Sequence, residues 1–148
     1  AFHGDIDRFS IIINELGDRE KILDIGSGSG WTTAMLCHIV GEEGSVLGLE
    51  RIEALVEFGK LNLARYCQDE RCRIEKAGEE LGVPGEKFDK ILVSAAADEL
   101  PEELIAQLNV GGKLVIPIRD SIDVVTKTSE NDYQRESIYG FRFVPLVY

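Results

Sequence analysis

Two hydrophobic rhythms take turns along the chain. Between Asp5 and Leu16 the apolar positions Ile6, Phe9, Ile12, Ile13 and Leu16 recur at helical spacing, which predicts an amphipathic helix stopped at Gly17-Asp18. Lys21 to Ile25 is a short apolar run with β-branched residues, the pattern of a buried strand, and glycines end it. Trp31 to Val40 predicts a helix closed by Gly41, Ser45 to Glu50 a second strand, and Glu53 to Tyr66 a long helix. That helix carries Leu55, Val56, Leu61, Leu63 and Ala64 on or near its apolar face. Cys72 to Lys76 reads as a short third strand, and Lys87 to Ser94 as a fourth around Ile91-Leu92-Val93. Pro101 to Leu108 predicts a helix with proline in its first turn, where the missing N–H costs nothing. Asn109-Val110-Gly111-Gly112 predicts a turn and Lys113 to Ile118 another strand. From Ile122 the helices stop, and Val124-Val125-Thr126 and Tyr139 to Val147 are strand-like.

Alternation of strand and helix implies a mostly parallel sheet covered on both faces by helices, and the final strand-like segments imply an antiparallel edge. No repeat, low-complexity segment or linker interrupts the chain, so residues 1–148 are expected to form one doubly wound, Rossmann-like α/β domain.

Composition narrows the partners. Net charge is -11 and the pI is near 4.6. No basic face is available to neutralise phosphates, so neither nucleic acid nor another long polyanion is an expected partner. No apolar run has the length of a membrane span and nothing resembles a signal peptide, which sets the expectation of a soluble, cytoplasmic protein. Cys37, Cys67 and Cys72 form no Cys-x-x-Cys pair, so neither a disulfide framework nor a zinc site is expected. Cys37 reads as a small core residue. Cys67 and Cys72 flank a polar turn and could pair, with free thiols expected in a reducing compartment. The chain begins at Ala1, and its single methionine is Met35.

The strongest chemical signal is Gly26-Ser27-Gly28-Ser29-Gly30, which joins the first strand directly to a helix. Glycines let the backbone turn sharply and approach a ligand closely, and the helix start offers free N–H donors. Ligands of such sheets sit outside the carboxyl ends of the strands. Two acids belong to the same region. Glu50 ends the second strand, where a carboxylate can accept both hydroxyls of an adenosine ribose. Asp24 precedes the glycines and either contacts an ammonium-bearing ligand or orients the loop. The loop does not fit a dinucleotide fingerprint, because the last glycine of Gly-x-Gly-x-x-Gly falls on Trp31 or on Thr33. No Gly-Lys-Ser/Thr follows, so it is not a P-loop.

An aspartate, Gly-x-Gly-x-Gly and a later strand-end acid together resemble the class I methyltransferase pattern, whose ligand, S-adenosylmethionine, has a sulfonium and no pyrophosphate. Over nearly its whole length the chain resembles the protein-L-isoaspartate O-methyltransferase family. The resemblance rests on Leu23 to Ala34, Leu49 to Glu57, Phe88 to Ala97, Gln107 to Pro117 and Arg142 to Val147. Ser94-Ala95-Ala96-Ala97 and Phe143-Val144-Pro145-Leu146 are its most particular parts.

The resemblance implies a class I methyltransferase fold and transfer of a methyl group from S-adenosylmethionine to the carboxylate of L-isoaspartyl residues, with S-adenosylhomocysteine as product. It implies that Asp24 and the loop of Gly26, Ser27, Gly28, Ser29 and Gly30 hold the methionine part of the cofactor, with Trp31 also in the floor of the cofactor site. Glu50 would bind the ribose, with Arg51 beside the adenine. Gly78 and Glu79 stand where the family has Gly-Asp-Gly, and Ser94 ends the fourth strand on the same side. Val144, Pro145 and Val147 would line the substrate mouth, and His3 falls on a family histidine. The family's Thr-Ile-Ser-x-Pro-His segment is represented only by Ala1-Phe2-His3, with Phe2 in place of proline.

No convincing base, nucleophile pair or metal cluster stands out, and the only histidines are His3 and His38, the latter read as structural. That suits a carboxylate acceptor, already ionised near neutral pH and in need of no general base. Two alternatives remain: a class I methyltransferase acting on a small molecule or RNA, and a non-catalytic S-adenosylmethionine-binding module. Against adenine-N6 methylation, Ser94 to Ala97 replaces the expected Asn/Asp-Pro-Pro-Tyr/Phe. Nothing in the sequence sets the oligomeric state.

Overall fold

The computed structural model describes residues 19–139. The helix expected over Asp5 to Leu16, His3, and most of the strand expected over Tyr139 to Val147 lie outside that range. The described chain runs β1 (Lys21–Ile25), α1 (Trp31–Val40), β2 (Ser45–Glu50), α2 (Glu53–Ala64), β3 (Cys72–Lys76), β4 (Phe88–Val93), α3 (Glu102–Ile105), β5 (Leu108–Ile118), β6 (Ser121–Lys127) and β7 (Tyr133–Tyr139).

The seven strands form one sheet in the order β3-β2-β1-β4-β5-β6-β7. The pairs from β3 to β5 are parallel, and the β5–β6 and β6–β7 pairs are antiparallel. Successive strand residues face opposite sides of the sheet, so a strand buried on both sides must be apolar throughout. Ile22, Val46, Leu92 and Val115 join one core layer with Leu36, Cys37 and Val40 of α1 and Val56 and Leu63 of α2. Their neighbours Leu23, Leu47, Ile91 and Leu114 join the other layer, with Phe88, Leu104 and Leu108. The chain leaves β1 toward β2 on one side and β4 lies on its other side. The carboxyl ends of β1 and β4 therefore flank the switch point, where sheets of this kind hold ligands.

Three expectations are corrected. The helix expected over Pro101 to Leu108 keeps only Glu102–Ile105. Gln107 is buried and clamps the preceding loop, accepting from Val83 N at 2.8 Å and donating to Leu81 O at 2.9 Å. Leu108 then pairs with Phe88 as the first residue of β5. The expected turn at Asn109 to Gly112 lies inside β5, where the register shifts between Phe88 and Lys90. Gly111 takes a φ of 88° and Asn109 Nδ2 donates to Asp89 Oδ1 at 3.0 Å. The glycine pair marks an irregularity within a strand, not its boundary.

The cysteine expectation also changes. Cys37, in the second turn of α1, is disulfide-bonded to Cys72 at the start of β3, with Cα atoms 6.0 Å apart, while Cys67 is free. Cys37 and Cys72 are core residues as well. The sequence led to an expectation of free thiols, with Cys67 and Cys72 the possible pair, but packing of α1 across β3 brings together residues 35 positions apart.

Candidate functional site

The loop after β1 is held by backbone. Gly26 N and Ser27 N both donate to Leu49 O, at 2.8 and 3.1 Å, and Gly30 N donates to Ser27 O at 3.0 Å. Gly26, Gly28 and Gly30 all have positive φ, at 84°, 55° and 84°, a region that L side chains enter only at a cost of about 1–2 kcal/mol. Their reasons differ. A Cβ on Gly30 would lie 2.6 Å from Gly59 O, so this glycine lets α1 start against α2. A Cβ on Gly28 would meet nothing within 4 Å. Space therefore stands open above the middle of the loop, as a ligand lying on the backbone requires. Asn62 Nδ2 donates to Ser29 O at 2.9 Å, tying the loop to α2 a second time.

Glu50, at the end of β2, is the centre of this arrangement. Its Oε1 accepts from Gly28 N and its Oε2 from Ile52 N, each at 3.0 Å. Both oxygens keep a second lone pair, so the carboxylate holds the loop and can still accept two hydroxyls. Asp24 is fully buried, and its Oδ2 accepts from Thr33 Oγ1 at 2.8 Å, bracing β1 against α1. Of the two roles open to Asp24, this contact is the orienting one. Ser27 is buried, and among the described residues its Oγ has no hydrogen-bond partner. A buried hydroxyl in that state costs about 1–3 kcal/mol, which a polar ligand would offset.

The other expected residues fall around the same strand ends. Ser94 follows β4, its N donating to Ile25 O at 3.0 Å and its Cβ 3.4 Å from the position of a Cβ on Gly26. Ala77 N donates to Glu50 O at 2.9 Å, which sets the exposed Gly78 and Glu79 just beyond β3. Arg51 is exposed at the end of β2. Trp31 is placed differently. Its ring stands edge-on to Tyr66, with centroids 5.4 Å apart, and lines a separate cavity of about 240 Å³ with Met35, His38 and Ile39. Only its backbone, at the start of α1, belongs to the loop. His3, Val144, Pro145 and Val147 lie outside the described residues. Sequence reasoning had not singled out Thr33 or Gly59: Thr33 looked like one more helix residue, and Gly59 has no role visible without its partner Gly30.

The site thus combines carboxylates and open backbone at a switch point, and among the described residues no cationic side chain grips the loop. S-Adenosylmethionine suits it: the ribose hydroxyls match Glu50, the acids match a ligand with sulfonium and ammonium charges, and no phosphate asks for a partner.

The architecture is that of the class I methyltransferases. The chain superposes on a Plasmodium falciparum protein described as a protein-L-isoaspartate O-methyltransferase and crystallised with S-adenosyl-L-homocysteine, with a TM-score of 0.74 and 26% identity over 89% of this chain and 67% of the other. An S-adenosylmethionine-dependent methyltransferase from Aquifex aeolicus shares the fold at 22% identity, with a TM-score of 0.59 over 74% of this chain and 62% of that one. Within that class, residues 9–148 match the model of the protein-L-isoaspartate(D-aspartate) O-methyltransferase family. The chain belongs to that family. It is 36% identical to the protein-L-isoaspartate O-methyltransferase of Methanopyrus kandleri, over 86% of this chain and 58% of the relative. It is 34% identical to that of Thermococcus sibiricus, over 92% of this chain and 65% of the relative. The chain therefore spans about three-fifths of the length of these relatives. Among the described residues, no helix is long and apolar enough to cross a membrane.

Proposed function

We propose that the chain transfers a methyl group from S-adenosylmethionine to the carboxylate of L-isoaspartyl residues in proteins or peptides. The observation that carries this reading is Glu50, which holds the open Gly28 amide while keeping two acceptor positions at the switch point. Family membership and the names of the relatives support the choice of acceptor.

The bound cofactor would supply a methyl carbon activated by its sulfonium. The chain's own contribution is alignment and exclusion of water, effects that can lower a barrier by about 7–11 kcal/mol. In this reading Gly26, Ser27, Gly28, Ser29, Gly30 and the backbone of Trp31 support the methionine part, with Asp24 fixing their geometry through Thr33. Glu50 takes the ribose, Arg51 lies beside the adenine, and Gly78, Glu79 and Ser94 border the same crevice. Glu79 has the longer arm than the family's aspartate at this point. On the acceptor side the resemblance assigns His3, Val144, Pro145 and Val147. The acceptor arrives ionised, so no side chain has to take a proton. The setting we propose is the cytoplasm, with an isoaspartyl protein or peptide as partner and no role for nucleic acid.

The test is incubation with S-adenosylmethionine and an isoaspartyl peptide, followed by methanol release as the ester hydrolyses. Release with the isoaspartyl peptide but not with its normal aspartyl counterpart is expected. Cofactor binding without any methyl transfer would instead make the chain a binding module.

A further inference from the structure

A second reactive centre lies at the far end of the α1–α2 layer. The Sγ atoms of Cys37, Cys67 and Cys72 all lie within 4.8 Å of one another. Cys37 and Cys72 form the disulfide, and Cys67 Sγ is 3.1 Å from Cys37 Sγ. Cys67 is the partly exposed member. It lines a groove of about 530 Å³ between α2 and β3, together with Leu63, Lys60 and Arg73. Arg71 also lies against the pair. Its Nη1 is 3.5 Å from Cys72 Sγ and donates to Cys37 O at 3.2 Å and to Gly41 O at 2.7 Å.

We propose that these residues form a thiol–disulfide exchange centre in which Cys67 is the entering nucleophile. Cys67 gives its proton to solvent, and its thiolate attacks Cys37 Sγ. The Cys37–Cys67 bond forms as the Cys37–Cys72 bond breaks, and the electron pair leaves on Cys72 Sγ. A guanidinium beside a departing sulfur stabilises the thiolate and so improves the leaving group. Reprotonation of Cys72 closes the step with no net oxidation or reduction. The disulfide thus moves between a helix-to-strand link and a link to the end of α2, and the free thiol moves from Cys67 to Cys72. The same guanidinium argues against reading the three sulfurs as a metal site, because it sets a fixed positive charge 3.5 Å from one of the sulfurs a cation would need.

The test uses the whole chain, oxidised with glutathione disulfide to one disulfide per molecule and freed of small thiols. Slow alkylation with dilute iodoacetamide, followed by peptide mapping, should give two singly modified forms, one at Cys67 and one at Cys72. In Cys67→Ser, Cys72 should stay unmodified, a loss of at least tenfold in its labelling. Cys72→Ser, oxidised in the same way, should form a Cys37–Cys67 disulfide. Modification confined to Cys67 across a hundredfold range of iodoacetamide would overturn the proposal. So would two free thiols in Cys72→Ser, or a stoichiometric metal ion bound by the three cysteines.

Discussion

The layer formed by α1 and α2 meets the sheet in two ways at its two ends. At the glycine end every contact has loop backbone on one side: Gly30 against the Gly59 backbone, Gly28 N on the Glu50 carboxylate, Ser29 O on the Asn62 side-chain amide. At the cysteine end they are made by long or reactive side chains: the Cys37–Cys72 disulfide, Cys67 and the reach of Arg71 to Gly41 O. The first arrangement leaves room above the loop, and the second joins its elements through sulfur and guanidinium. One pair of helices therefore offers a ligand platform at one end and a covalent clamp at the other.

The difference can be broken at either end. Gly30→Val should do the most damage, since a β-branched side chain must enter positive φ against Gly59 O. A loss of about 3 kcal/mol or more is expected in urea unfolding. Glu50→Ala should weaken S-adenosylhomocysteine binding by about 30-fold, as removal of charged hydrogen bonds costs about 1.5–3 kcal/mol, measured by calorimetry. Its stability should fall less, through the released Gly28 and Ile52 amides. Arg71→Ala should cost about 1–2 kcal/mol in unfolding free energy, because Cys37 O and Gly41 O lose a charged donor. Binding of S-adenosylhomocysteine should stay within twofold of the parent, which separates the clamp from the platform. Gly28→Ala should be mildest in stability, about 1 kcal/mol from positive φ alone. It should still weaken the same ligand, since the new methyl enters the open space over the loop.

Much of this was legible in the chain. The spans of β1 and α1 follow from runs ended by glycine, and Glu50 announces itself as an acid closing β2. Less was legible where meaning depends on a distant partner. Gly111 and Gly112 look like a turn until Phe88 and Lys90 pair across them. β7, Tyr133–Tyr139, is polar and largely exposed, with Ile138 alone packed against the core, so it carries little core-facing signal; its partner β6 makes it a strand. Cys37 reads as a plain core residue because its partner lies on another element. At the site, the loop and Glu50 were visible from spacing, whereas the Thr33–Asp24 brace and the Gly30–Gly59 contact exist only in three dimensions.

The central claim is that the glycine platform takes an adenosyl ligand without phosphates. Calorimetric titration of the chain with S-adenosylhomocysteine, and separately with NAD, tests it most directly. The account predicts saturable one-to-one binding of S-adenosylhomocysteine and no heat with NAD. Absence of S-adenosylhomocysteine binding, or its displacement by NAD, would contradict it.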